Sequence, residues 1–319
     1  MNILFVADPL ESFKIHKDTT FVMMREAQRR GHTVSACEPQ DLQWQTGGVV
    51  TAVVRDIQLT GDKAAWFSAA QPRPAGNPRA LKDFGAIIMR KDPPFDSEFF
   101  YATHLLEQAE REGAKVFNKP RALRDHPEKL AIMEFSQFSG PTLVTRSAEA
   151  IKAFHATHRD IILKPLDGMG GTGIFRVKDD VMNLGAIIEP LNKDGAQSVM
   201  VQKFLPEIAL GDKRVLVIGG KPVPFCLARI PQGGEVRGNL AVGGKGVAQP
   251  LSARDREIGE TLGPILAARG LLLVGVDVIG DFVTEINVTS PTCFQEIFDQ
   301  TGCDVAALFV DALEAALKI

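Results

Sequence analysis

The stretch FVTEINVTSPT, residues 282–292, combines the alternation of a strand with oxygen-bearing side chains. Because successive side chains of a strand point to opposite faces, Glu285 and Asn287 share one face. The apolar run just upstream, LLLVGVDVIGD, carries Asp277. If residues 280–282 form a three-residue hairpin loop, Asp277 lies directly opposite Glu285, whereas a two-residue loop would put it on the wrong face.

Two carboxylates and one amide on one sheet face predict a site for a hard divalent cation. Like charges that face each other across a half-buried sheet repel unless a cation lies between them. Oxygen donors of this kind suit Mg²⁺, which also keeps water and binds phosphate oxygens, with Mn²⁺ as the alternative ion. Zinc is not expected, because no His or Cys joins the set. The other interpretation is a solvated sheet face without a metal.

A glycine-rich run, IILKPLDGMGGTGIFRV, matches G-x-G-x-x-G by letter at Gly168, Gly170 and Gly173. A dinucleotide fingerprint needs a helix after the glycines, whereas IFRV predicts a strand, and no Gly-Lys-Ser/Thr closes a Walker A loop. The pattern therefore predicts a flexible hairpin loop whose backbone N–H groups approach phosphate, with Lys164 supplying a charge from the preceding strand. The alternative is an ordinary surface hairpin with a solvated lysine.

Three arginines follow in the next part of the chain. Arg214 and Arg229 fall in predicted strands, and Arg237 lies in a stretch, residues 231–246, with six glycines. A guanidinium group offers a planar fork for carboxylate or phosphate, and so many glycines predict a lid that orders over a bound ligand. Each arginine taken alone favours a surface position, and only their combination near the proposed metal strand favours a functional one.

Alternating strand and helix patterns over the first 120 residues predict parallel strands with crossover helices. The helices are expected at 18–30 and 98–112, each stopped by a glycine. A hinge is expected at RALRDHPEK, and β-rich segments follow it. We therefore expect three domains: an N-terminal α/β domain over 1–123, a central domain over 124–202, and a C-terminal domain with the metal and substrate site over 203–319.

Composition limits the function classes. The 319 residues are 45% hydrophobic and 24% charged, which is typical of a soluble globular protein. A net charge of −3 argues against general nucleic-acid binding, which needs a basic surface. No segment approaches the roughly 20 apolar residues of a membrane helix, the N-terminus lacks the basic region of a signal peptide, and the four cysteines show no zinc spacing. A cytoplasmic protein without membrane or nucleic-acid partners is expected.

The runs MRKDPPFD, ILKPLDGMGG, CLARIPQGGE, RGNLA and DVIGD..TEINVTSPT resemble those of bacterial glutathione synthetases, members of the ATP-grasp superfamily. The resemblance covers nearly the whole chain. It implies an α/β fold, α+β overall, with an N-terminal parallel-sheet domain, a central lid-like domain and a C-terminal antiparallel-sheet domain. It also implies a cytoplasmic homotetramer that joins γ-glutamylcysteine and glycine through an acyl phosphate, with ATP as co-substrate and ADP and phosphate as products.

The resemblance also implies roles for individual residues. ATP binding is implied for Lys129, Lys164, Gly168, Gly170, Gly171, Gln202, Lys203, Leu205 and Asp212. The Mg²⁺ ligands correspond to Asp277, Glu285 and Asn287. Dipeptide binding is implied for Arg229, Arg237, Asn239, Ser290, Pro291 and Thr292. Catalytic charge neutralisation is expected from Arg214, Arg229 and Lys164.

Three other functions remain to be compared with this one. A second ATP-grasp ligase function would use different amino acid or peptide substrates, and a non-catalytic regulator would bind ATP without turnover. A nicotinamide oxidoreductase is disfavoured by the strand that follows Gly173. No general base for the glycine amine is evident in the sequence.

Overall fold

The computed structural model describes residues 1–69, 78–180, 183–235, 237–240 and 243–318. Three residues of the predicted lid, Val236, Ala241 and Val242, lie outside the described residues.

The first part of the chain forms a mixed sheet covered by helices. Its strands are β1 (Asn2–Val6), β2 (Thr33–Cys37), β3 (Leu42–Gln43), β4 (Thr51–Ala52), β5 (Arg55–Leu59), β6 (Phe67–Ala69), β7 (Arg79–Ala80), β8 (Ala86–Met89) and β9 (Val116–Phe117). Its helices are α1 (Thr19–Arg29), α2 (Ser97–Arg111) and α3 (Pro120–Asp125). The main sheet has the order β6-β5-β2-β1-β8-β9, and β3, β4 and β7 form a small separate sheet.

The predicted parallel arrangement is confirmed at the centre of this main sheet. Strand β1 pairs in parallel with β2 and β8, and β8 with β9, while β5 and β6 add an antiparallel edge. Helix α1 begins where Asp18 accepts a hydrogen bond from the Phe21 N–H, and it buries Val22, Met23 and Ala27. The helix is therefore fixed both by its cap and by its apolar face.

The central part contains an antiparallel sheet of order β10-β13-β11-β12. Its elements are β10 (Thr142–Thr145), α4 (Ala148–His158), β11 (Ile161–Pro165), β12 (Phe175–Val177), α5 (Leu184–Asn192) and β13 (Val199–Lys203). The glycine-rich run thus connects β11 to β12. A strand follows the glycines, as predicted, and this excludes the dinucleotide-binding geometry.

The last part contains a second antiparallel sheet of order β16-β15-β14-β17-β18. Its elements are β14 (Asp212–Ile218), β15 (Lys221–Ile230), β16 (Lys245–Pro250), α6 (Ala253–Ala268), β17 (Leu273–Ile279), β18 (Phe282–Asn287), α7 (Phe294–Thr301) and α8 (Val305–Leu317). Short 3₁₀ segments complete the described chain at Leu10–Ser12, Pro39–Asp41, Leu81–Asp83, Leu130–Phe138 and Pro206–Leu210.

The hairpin of β17 and β18 corrects one prediction. Ile279 pairs with Phe282, so the turn has two residues and the predicted three-residue loop is wrong. Asp277 nevertheless lies opposite Glu285, because Thr284 is an extra residue in β18 and shifts the register. A β-bulge of this kind puts two residues of one strand opposite one of the other. The bulge, rather than the loop, places both carboxylates on one face.

Apolar packing joins the first and last sheets. One buried cluster contains Leu4 and Leu106 from the first part together with Val276 and Ile286 from the last. The central sheet has a separate cluster that includes Ile161. None of the helices within the described ranges combines the length and hydrophobicity needed to cross a membrane. The exact three-domain boundaries stay a prediction.

Candidate active site

A cavity of about 700 Å³ lies where the central and last sheets meet the first part of the chain. Every residue that the sequence analysis assigned to a site lines this cavity. The assigned roles stay predictions, but the structure brings the residues together at one place. Pockets with convergent polar groups are the usual form of a small-molecule site.

Four buried charges form a network on the last sheet. Arg214 on β14 donates from Nε and Nη2 to the two oxygens of Asp277, at 2.5 and 3.1 Å. Arg229 on β15 reaches the same carboxylate at 2.9 Å and Asp212 at 2.6 Å. Strand register produces this arrangement, because Arg214 pairs with Asp277 and Asp212 pairs with Arg229.

The network shifts the pKa values of its two carboxyls in opposite directions. Burial raises the pKa of Asp212 to about 6 although Arg229 opposes it. Burial also acts on Asp277, but Arg214 and Arg229 together hold its pKa below the ordinary range. The pKa of Arg229 is raised well above its usual value because Asp212 and Asp277 outweigh its burial. The guanidinium groups therefore stay charged inside the protein.

Lys164 projects from β11 to the bulge in β18. Its Nζ donates to the carbonyl oxygen of Thr284 at 3.2 Å, and its side chain is buried. Burial lowers the pKa of this ammonium group, and the nearby Lys129 lowers it further. The extra residue of the bulge thus supplies the carbonyl that holds the lysine at the cavity.

Lys129 connects the glycine loop to the proposed metal strand. It donates to the carbonyl oxygen of Gly168 at 2.5 Å and forms an ion pair with Glu285 at 3.2 Å. The side chain is 7% exposed. A cation in this position faces any phosphate that enters the loop.

The two glycine-rich stretches touch each other. Arg237 donates to the carbonyl oxygen of Gly171 at 3.2 Å and pairs with Glu235 at 2.8 Å. Gly171 has φ +85°, and an added Cβ would lie 2.8 Å from Asn239 Oδ1. Only a residue without a side chain allows both the backbone conformation and this close approach.

The predicted metal ligands share one sheet face, and each contacts a neighbouring group. Asp277 binds the two arginines, Glu285 binds Lys129, and the Asn287 amide donates to the carbonyl of Gly275 at 3.2 Å. No cluster of three or more His, Cys, Asp or Glu residues suited to a metal occurs in the described part of the chain. The donors are oxygens only, which fits a hard cation that takes its remaining ligands from phosphate and water.

Residues 202–205, which the family resemblance implies line the adenine pocket, run from the last two residues of β13 into the chain just beyond it. The Gln202 side chain donates to Thr142 Oγ1 at 3.1 Å, and Lys203 is exposed. The Gln202 amide N–H is thus already engaged within the central sheet. Backbone groups of this stretch remain the expected adenine contacts.

Arg90 and Glu296 are among the cavity residues that sequence reasoning missed. Arg90 Nη1 and Glu296 Oε2 are buried without a hydrogen-bond partner among the described residues, although both side chains line the cavity. Buried polar atoms normally have partners, so such atoms indicate a bound group. Arg90 lies within the motif MRKDPPFD, and that motif was the available signal. Glu296, on α7, carried no signal that distinguished it from a surface residue.

Comparison with known proteins identifies similar chains over the full length. The profile of the prokaryotic glutathione synthetase N-terminal domain matches residues 1–124, and that of the prokaryotic glutathione synthetase ATP-grasp domain matches residues 128–302. A glutathione synthetase of Ralstonia nicotianae is 57% identical over 316 residues, which are 99% of this chain and 96% of that one. A glutathione synthetase of Nitrosomonas europaea is 55% identical over 318 residues, 98% of each chain.

Solved structures show the same architecture at low identity. A D-cycloserine synthetase superimposes with a TM-score of 0.69 at 16% identity and covers 99% of both chains. A RimK-domain ATP-grasp protein from Sphaerobacter thermophilus gives 0.63 at 19% identity, with 98% of this chain and 99% of that one covered. The ATP-grasp architecture expected from the sequence is confirmed.

Proposed function

This chain belongs to the prokaryotic glutathione synthetase family, and from that premise we propose how its cavity joins γ-glutamylcysteine to glycine. The protein is an ATP-dependent ligase that forms glutathione. One observation carries the assignment of roles: the arginine–aspartate network, Lys164 and the glycine loop meet at one cavity. Relatives that match nearly the whole chain share the name glutathione synthetase. This disfavours both a ligase with other substrates and a non-catalytic regulator.

The chemistry begins with a carboxylate that does not react with an amine at neutral pH. An oxygen of the cysteinyl carboxylate attacks the γ-phosphorus of ATP, and the bond from this phosphorus to the bridging oxygen breaks. ADP is the leaving group, and the dipeptide becomes an acyl phosphate. The neutral glycine amine then attacks the acyl carbon, the bond from that carbon to the phosphate oxygen breaks, and the amine proton leaves with the phosphate as hydrogen phosphate. Lys164, Arg214 and Arg229 contribute by holding positive charge where negative charge develops on the transferred group.

The divalent cation is the part of the site supplied from outside the chain. We place it on Glu285 and Asn287, with Asp277 across the hairpin as third donor, and Mg²⁺ is the ion that such oxygens favour. When bound, the cation neutralises phosphate oxygens and helps to orient the triphosphate. The chain itself positions the nucleotide with Lys129 and with backbone groups of the loop at Gly168, Gly170 and Gly171.

The γ-glutamyl end of the dipeptide carries both an α-ammonium and an α-carboxylate group. Arg90 and Glu296 offer opposite charges, and each has a buried atom without a partner in the described structure. We assign the zwitterionic end to these two side chains and the cysteinyl end to Ser290, Pro291 and Thr292. Arg237 and Asn239 would close over the dipeptide from the lid.

Further properties follow from the family resemblance. We propose a cytoplasmic location and a homotetramer. Acyl phosphates hydrolyse, so the loops at 168–173 and 231–246 should exclude water during the reaction.

The experiment measures ADP formation in a coupled assay with γ-glutamylcysteine and glycine, each omitted in turn. We expect full turnover only when both are present with ATP and Mg²⁺. A panel of other dipeptides and amines serves as the control for substrate class. ADP release that does not depend on γ-glutamylcysteine, or faster release with an unrelated dipeptide, would disprove the proposal.

A further inference from the structure

The segment between β18 and α7, residues 288–293, is here called the substrate loop. It contains the Ser290, Pro291 and Thr292 that face the cavity, and it belongs to the last part of the chain. Its main hydrogen-bond partners, however, lie in the first part of the chain and in the hinge.

One carboxylate oxygen holds the start of the substrate loop. Oε1 of Glu128 accepts from the Val288 N–H at 2.9 Å, the Thr289 N–H at 3.0 Å and the Thr289 hydroxyl at 2.8 Å. The backbone carbonyl of Glu128 also accepts from the Ile286 N–H at 3.0 Å. One oxygen that accepts from three converging donors holds all three groups at hydrogen-bond distance from the Glu128 side chain. The glutamate thus fixes two consecutive residues of the loop.

The remaining anchors of the loop also come from before Lys129. Asn118 donates to the carbonyl oxygen of Val288 at 2.8 Å. The Ser290 hydroxyl donates to Asp92 at 2.6 Å, and Arg90 donates to the carbonyl oxygen of Pro291 at 3.1 Å. The first part of the chain and the hinge therefore fix the conformation of a loop that follows the last strand of the last sheet.

We propose that Glu128 is a positioning residue that shapes the substrate loop and thereby sets affinity for the dipeptide. The inference rests on the proposed function, because it assumes that Ser290, Pro291 and Thr292 bind the dipeptide. Glu128 acts through the backbone of the loop. Its own backbone bond to Ile286 does not depend on the side chain, so β18 and its Glu285 keep their place when the side chain changes.

Two conservative variants separate geometry from charge. Glu128→Gln keeps an acceptor oxygen at the same reach but loses the charge, whereas Glu128→Asp keeps the charge but draws the oxygens back by one methylene group. If Glu128 acts by positioning the loop, E128Q should keep the KM for the dipeptide within about threefold of that of the parent protein. E128D should raise this KM by about ten- to hundredfold while the KM for ATP changes by less than about threefold.

A matched control comes from Glu112, a similarly half-buried glutamate remote from the cavity. Its Oε2 accepts from the Val50 N–H at 2.8 Å, so it also holds a distant backbone segment. Glu112→Asp should lower thermal stability without changing either KM. A loss of stability alone therefore cannot produce the expected pattern.

Hydrogen exchange of the substrate loop gives a readout that does not need turnover. Amide protons of residues 288–289 should exchange faster in E128D than in E128Q or E112D, because only E128D loses the converging acceptor. An E128D variant with unchanged dipeptide KM and unchanged exchange would overturn the inference, as would an E128Q variant as defective as E128D. Failure of the parent protein to use γ-glutamylcysteine would instead refute the proposed function. The exchange measurement would still show whether the Glu128 side chain holds the substrate loop.

Discussion

The cavity is built from two contrasting regions, a charge network on a sheet and a pair of glycine-rich loops. In the network, Arg214, Arg229, Asp212 and Asp277 are all buried and fixed by strand register. In the loops, Arg237 contacts a backbone carbonyl of Gly171 and an exposed carboxylate. The same residue type is held rigidly in one region and loosely in the other.

The two regions differ in when the free-energy cost of ordering them arises. Burying an ion network removes charges from water, a cost met when the protein folds. Ordering a glycine-rich loop costs conformational entropy, and that cost falls when ligand binds. The network should therefore govern the chemical step and stability together, whereas the loops should govern ligand affinity with little effect on stability.

Arg229→Ala should give the largest effect, because it removes a charge that faces the reaction and leaves two carboxylates without their shared partner. We expect kcat to fall by about 10²–10³ and the free energy of unfolding to fall by about 3–5 kcal/mol. Kinetics below the unfolding temperature and denaturant titration measure the two effects. Arg30→Ala is the control, because Arg30 pairs with Glu26, Asp311 and Glu314 away from the cavity. It should lose stability and keep kcat; near-normal turnover of Arg229→Ala at saturating substrate would show that its assigned role is wrong.

Gly275→Ala tests the network through packing rather than charge. The added Cβ would lie 2.7 Å from Arg214 Cδ and 2.9 Å from Pro291 Cβ, so both the network and the substrate loop must shift. We expect a stability loss of about 1–3 kcal/mol and a clear fall in kcat. In the control, Gly185→Ala, the new Cβ meets nothing within 4 Å in helix α5, and stability should rise slightly. A Gly275→Ala protein with normal kcat would show that the network tolerates displacement.

Arg237→Gln tests the loops. The ion pair with Glu235 is solvent-exposed, so we expect no measurable change in thermal unfolding. Because the Arg237 fork is proposed to close over the dipeptide, its loss should raise the KM for γ-glutamylcysteine by about tenfold. If the variant instead unfolds at a clearly lower temperature, the contrast between rigid network and loose loop is wrong.

Limited proteolysis gives the smallest expected effect and addresses the same contrast. Trypsin should cut the parent protein after Arg237, in the lid, before it cuts the strands that carry the network. ATP with γ-glutamylcysteine should slow this cut several-fold, because ordered segments are poor substrates for proteases. Cutting at an unchanged rate would count against closure of the lid.

Local patterns predicted much of this structure. The parallel centre of the first sheet and the strand after the glycines follow from short-range signals, and both are confirmed. The pairing of Asp277 with Glu285 is also confirmed, but it arises from a β-bulge that the sequence analysis did not predict. Turn length and bulge compensate for each other, so the sequence alone could not separate them.

Non-local contacts account for what the sequence did not predict. Asp277 meets two arginines because β14 lies between β15 and β17, an order that adjacent segments do not reveal. Arg90 and Glu296 are distant in sequence, and each has a buried atom at the same cavity that lacks a partner in the described part of the chain. Folding of the whole chain, rather than any single motif, brings these groups together.

The hydrogen bonds that the Ser290 hydroxyl donates to Asp92 and that Arg90 donates to the Pro291 carbonyl have an evolutionary consequence. The residues assigned to the nucleotide lie in or after the hinge, whereas several of the hydrogen bonds that hold the substrate loop come from before it. Substitutions in the first part of the chain can therefore change which carboxylate substrate the loop accepts, while the residues that face phosphate stay the same.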